Sequence, residues 1–173
     1  MAGLESSLKF QRSNKPMGKY ASNTGVSVER SQEEVKKVLR RYGADAFGVY
    51  ERAGLGSVQF EISGLTIQIT VPLPDPKAKQ FTATPTTGRK RSSSAAWAAY
   101  EQEVKQRWRA LLLAIKAKLE AVECHISTID KEFMPYVVMP DGKCLADHLL
   151  PQLHKAVSEG RMPGQLALPL LGK

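Results

Sequence analysis

Only two cysteines, Cys124 and Cys144, occur in the 173 residues. That excludes a disulfide framework and sets the expectation of free thiols in a cytoplasmic setting. Long hydrophobic runs are missing as well. Nothing approaches the ~18 consecutive apolar residues of a membrane span, and residues 1–25 hold no apolar core of signal-peptide length. Aromatic residues make up 7% of the chain, a modest share, yet 42% hydrophobic content suffices for one core. Acidic residues are the short side of the charge balance. Against 25 Lys and Arg stand 17 Asp and Glu, leaving +8 at pH 7. A surplus of that size favours polyanionic partners through phosphate neutralisation and counterion release. No internal repeat is visible, and the length fits one domain with tails.

Motifs that carry catalysis are equally scarce. Gly54-Leu-Gly56 lacks a following Lys-Ser/Thr and sits between strands, so it does not read as a phosphate-cradling loop. No CxxC or HExxH is present. Cys144 and His148, four apart on one helix face, have the spacing of a ligand pair or a thiol–imidazole dyad, with Cys124 and His125 as further candidates. Adjacent ligands on a helix point about 100° apart and rarely reach one ion. A metal-dependent nuclease needs converging carboxylates. Here Glu61 lies on a strand while Glu101 and Glu103 lie on a separate helix. The expectation is a protein without catalytic residues, metal or cofactor.

What is there reads as an α+β domain. Residues 1–28 form a basic arm with Lys9, Arg12, Lys15 and Lys19, expected to be disordered. A single domain over 29–160 and a C-terminal tail over 161–173 follow. Ser31-Gln-Glu-Glu34 reads as a capping box that opens a helix over 31–42, with Val35, Val38, Leu39 and Tyr42 at helical spacing and Gly43 as its stop. Then comes a β-meander of three short strands. Residues 47–52 form the first, and Ala53-Gly54-Leu55-Gly56 is its turn. Val58, Phe60 and Ile62, then Leu65, Ile67, Ile69 and Val71, alternate with polar residues around Ser63-Gly64, the pattern of a hairpin. Pro72, Pro74 and Pro76 end the sheet, and 73–94 reads as a long flexible loop.

From Ser94 to Glu123 the apolar positions Trp97, Tyr100, Val104, Trp108, Leu111, Leu112, Ile115, Leu119 and Val122 recur at three and four, predicting a long helix with one continuous apolar face. Laying that face on the aliphatic side of the hairpin closes a two-layer core. The pattern leaves open whether the stripe packs internally or against a second copy in a homo-oligomer. A short helix through Phe133, a brief strand over 136–139, a Pro140-Asp141-Gly142-Lys143 turn and a helix over 144–158 complete the reading. That last helix is expected to bury Leu145, Leu149, Leu153 and Val157 and to stop at Gly160.

Four sets of cations make the most coherent constellation: the N-terminal arm, Lys36, Lys37, Arg40 and Arg41 on the first helix, Arg89-Lys90-Arg91 in the loop, and Lys105, Arg109 and Lys116 on one flank of the long helix. Their convergence would hold a phosphate backbone, DNA more readily than RNA, with Tyr50 or Trp97 for stacking. Beyond Pro163-Gly164 the chain ends QLALPLLGK. Gln165 followed by Leu166, Leu168 and Leu170 resembles the short peptide by which bacterial polymerases and repair proteins dock on the DNA sliding clamp. The resemblance implies that Gln165 hydrogen-bonds in one pocket and the three leucines fill an apolar cleft; Pro169 stands where the commonest version has Phe. The blocks RYGADAF, RWRALLLAIKAKLEAVE and EFMPYVVMPDGK resemble a family of small, uncharacterised bacteriophage and prophage proteins over residues 28 to 145. That resemblance implies a phage setting and supplies no activity. The resulting expectation is a phage accessory of DNA metabolism tethered to the host clamp. Its rival is a counter-defence or host-takeover protein that binds a host protein.

Overall fold

Three antiparallel strands run in chain order across one sheet: β1 (Phe47–Arg52), β2 (Leu55–Ile62) and β3 (Leu65–Pro72). The computed structural model describes residues 21, 24–52 and 54–161. The predicted arm up to Tyr20 and the tail with Gln165, Leu166, Leu168 and Leu170 lie outside the described residues.

Register follows from period-two burial. Val58 pairs with Ile69 and Phe60 with Ile67 on the face that is covered. A one-residue slip would turn both rows to the other side of the sheet. Ser63 (φ 53°) and Gly64 (φ 74°) both take the left-handed conformation that a two-residue hairpin turn requires, and Ile62 and Leu65 close it. Leu55 and Gly56 prove to be strand residues, not turn residues: they pair with Arg52 and Glu51.

The long helix forms as expected, as α3 below, and lies on the aliphatic face. Around the sheet stand α1 (Val28–Arg41), α2 (Lys79–Thr82), α3 (Ser93–Glu123), α4 (Ile129–Phe133) and α5 (Leu145–Glu159). Trp108, Leu111, Leu112, Ile115 and Leu119 of α3 join Val58, Phe60, Ile62, Ile67, Ile69 and Val71 of the sheet, with Val35 and Leu39 of α1 and Phe133 of α4, in one core. Burying each large apolar side chain is worth about 1.5–3 kcal/mol. Phe60 and Phe133 add an edge-on ring contact at 5.7 Å.

Several local expectations are corrected. The first helix begins at Val28, because Ser27 accepts the Arg30 amide and acts as the cap. Ser31 is buried inside the helix and donates to the Ser27 carbonyl at 3.1 Å. Glu34 is thereby released from capping. The brief strand at 136–139 is reduced to two isolated bridges, Val137 to Ile67 on the outer edge of β3 and Val138 to Cys144. On α5 none of the expected residues is buried: Leu145 and Leu149 are half-buried, Leu153 is 44% exposed and Val157 81%. The helix touches mainly the 3-10 turn at Met134–Tyr136, so its apolar stripe reaches past the core instead of into it.

Candidate nucleic-acid interface

Residues 73–92 are not the long loop the prolines suggest. Asp75 accepts the Lys77 amide at 2.9 Å and starts a tight turn. Phe81 of α2 is then buried edge-on against Tyr100 of α3, 5.8 Å between ring centres. Next the chain folds into a small hairpin. Thr84 and Arg89 exchange hydrogen bonds, Ala83 bridges Lys90, and the Arg91 amide donates to the Thr82 carbonyl at 2.8 Å. Gly88, at φ 65°, allows the reversal. The consecutive cations Arg89, Lys90 and Arg91 are therefore carried on a hydrogen-bonded ribbon that runs directly into Ser92, the cap of α3.

Pro76 and Lys77 from the first turn, Thr82, Lys90 and Arg91 from the ribbon, and Ser93, Ala96 and Trp97 from the first turns of α3 line a groove of about 330 Å³. Trp97 is 55% exposed. Its indole N–H donates to Glu101 at 3.0 Å and its ring lies against Tyr100, centres 5.1 Å apart, so the side chain is held in one orientation. This corrects its assignment to the apolar stripe, whose buried part begins at Trp108. Lys77 was missing from the predicted set. Its signal in the sequence was the Asp75-Pro76-Lys77 turn, which brings it back toward α3.

The remaining predicted cations lie elsewhere. α1 and α3 run parallel, and Arg109 (2.8 Å) and Lys116 (3.8 Å) both pair with Glu34 across that contact. The hydrogen bond from Arg109 holds the Glu34 carboxyl below its ordinary value of 4.5, and the charges of Arg109, Lys116 and Arg30 add to it. Lys105 is half-buried near Glu29. Arg41 reaches Glu123 at 3.7 Å, while Lys37 and Arg40 are exposed on the outer side of α1 and Lys36 is half-buried. Along α3 these positions run from Lys105, eight residues or roughly 12 Å from Trp97 at the helical rise, to Lys116, nineteen residues or roughly 30 Å away. The cations thus form a groove set (Lys77, Lys90, Arg91, with Arg89 beside them) and a second set along the contact of α1 with α3.

Four of the candidate ligand, dyad and carboxylate residues have partners of their own. His148 faces Asp141 at 3.0 Å. Cys144 packs its thiol toward the Gln68 and Tyr136 carbonyls at 3.7 and 3.9 Å, and burial pushes that thiol's pKa up, away from nucleophilic use. Glu101 serves Trp97, and Glu103 pairs with Arg107 at 2.5 Å. Among the described residues no group of three or more His, Cys, Asp or Glu stands together as a metal site, and no helix is long and apolar enough to cross a membrane. The fold is thus an α+β meander under a long helix, with an aromatic and cationic groove at that helix's start. Comparison with known protein families, with curated proteins and with solved structures finds no match to this chain.

Proposed function

We propose that this chain is a non-catalytic nucleic-acid-binding accessory of phage or prophage DNA metabolism. The observation that carries the reading is the groove. Three cations from two segments, Lys77, Lys90 and Arg91, meet an oriented, solvent-facing tryptophan there. Cations neutralise phosphates and an aromatic face stacks on bases, and the two together are what polynucleotide binding asks of a surface. The net charge of +8 supports it at the level of the whole chain. In this reading the QLALPL tail is a tether to the host sliding clamp, which raises the local concentration of the basic surface at DNA. The phage setting in this proposal draws only on the resemblance of RYGADAF, RWRALLLAIKAKLEAVE and EFMPYVVMPDGK to phage proteins.

The test is fluorescence anisotropy with labelled 20-nucleotide single strands and duplexes between 50 and 300 mM salt. Affinity is expected to fall steeply with salt, and the Lys77→Ala/Lys90→Ala/Arg91→Ala variant to lower the log–log slope by about 2 to 3. An unchanged slope in that variant overturns the assignment of the groove.

A second reading, a counter-defence or host-takeover protein that binds a host protein, draws on one observation. Leu150, Leu153 and Val157 leave an apolar strip exposed along α5. It calls for association that is insensitive to salt and lost on Leu153→Asp.

A further inference from the structure

We infer that the groove at the start of α3 takes an unpaired nucleobase, so that single-stranded nucleic acid is the substrate class of the site. The inference rests on the nucleic-acid reading above and goes a step beyond it. Charge alone favours any polyanion; Trp97 is what discriminates.

Trp97 is exposed over more than half its surface, although Tyr100, itself packed on Phe81, lies beside it. Its orientation is set on two sides, by the N–H bond to Glu101 and by the tilted contact with Tyr100 at 40° between planes. A ring held this way loses little conformational freedom when a second ring stacks on it. In a duplex each base is already stacked on its neighbours, and an aromatic side chain gains access only to bases that are splayed out or unpaired. The groove volume of about 330 Å³ lies at the low end of small-ligand sites, the scale of one nucleotide. Lys77, Lys90 and Arg91 line the same groove as the ring and give it a largely apolar wall, so a base on Trp97 packs there with the cationic side chains close to its phosphates. The first turn of α3, whose positive end opens here, adds to the attraction. Of the nearby carboxylates Glu103 is neutralised by Arg107, while Asp75 and Glu101 keep their charge and accept the Lys77 amide and the Trp97 indole N–H.

The chain carries its own reporter. Of its two tryptophans, Trp108 is fully buried and Trp97 is exposed. Titration with unlabelled 12-nucleotide oligothymidylate or oligouridylate is expected to quench intrinsic fluorescence, and Trp97→Phe to abolish the quench while keeping most of the affinity. Trp97→Ala, checked for folding by far-UV circular dichroism, is expected to weaken single-strand binding by about fivefold or more. Its affinity for a 12-base-pair duplex should stay within a factor of two. Comparing the two oligomers shows whether DNA or RNA is preferred. Equal losses on single strand and duplex, or no loss on either, overturn the single-strand assignment. If Lys90→Ala/Arg91→Ala still weakens binding in that case, the nucleic-acid reading survives. If the cation variant also binds as the wild type does, both fall together.

Discussion

Gly56 of β2 and Trp108 of α3 are in direct contact. A β-carbon built on Gly56 would stand 2.9 Å from the Cζ2 atom of Trp108, nearer than real side chains approach. Gly56 is therefore in β2 because it has no side chain, and its absence of bulk lets the largest core residue lie flat over the strand. Gly56→Ala is expected to destabilise the fold by about 1–3 kcal/mol, read as a lower urea midpoint with unchanged slope. A midpoint equal to the wild type's would show that the contact relaxes without cost. The two tryptophans themselves are indistinguishable as letters in a helical stripe, eleven residues or three turns apart. They differ because the core reaches along α3 through Trp108 to a partly covered Val104 and not to Trp97, so the same spacing buries one ring and presents the other.

At the scale of elements, α1 owes its place to a clasp as well as to Val35 and Leu39. Gln102 donates to the Thr24 carbonyl at 3.0 Å, Arg109 and Lys116 hold Glu34, and Tyr42 and Arg41 reach Glu123. Glu34 is the centre, its side chain 30% exposed and its carboxyl pKa lowered. A carboxylate with a depressed folded value stabilises fully above its ordinary 4.5, and that contribution is lost as pH falls through the lower folded value. Glu34→Gln is expected to cost about 0.5–1 kcal/mol at pH 7, and its urea midpoint should converge on the wild type's toward pH 3. A constant gap across that range would mean that packing, not charge, carries the effect. The same clasp shows what the Lys105, Arg109 and Lys116 flank does within the fold. Those cations share one side of α3, as their spacing requires, and the side they share is the one that faces the acids of α1. In the segment 73–92 composition misleads. Pro, Thr and Ser composition hid a buried Phe81 and a ribbon closed by Thr84, because one apolar residue with the right partner outweighs a polar neighbourhood.

For the molecule as a whole, the groove cations and the cations along the α1 contact both border α3, and in the proposed reading the tail adds a contact of a different chemistry. Linking a clamp-docking peptide to a weak nucleic-acid surface multiplies affinities without new contacts. Calorimetry of the full chain against a bacterial sliding clamp is expected to give micromolar binding that disappears in a version ending at Gly164. Retained binding by the shortened form, or none by either, removes the tether from the proposal. What the amino-acid sequence alone determined was periodic and local: the hairpin with its Ser63-Gly64 turn, the long helix, and the union of their apolar faces in one α+β core. Local spacing suffices there because a strand of period two and a helix of period 3.6 each have one face to bury. Only the tertiary structure decided which cations are spent in ion pairs, which tryptophan is exposed, and that the α5 leucines reach past the core. Those outcomes depend on where a neighbouring element ends, and the approach of Gly56 to Trp108 or of Glu34 to Arg109 is encoded in no local pattern.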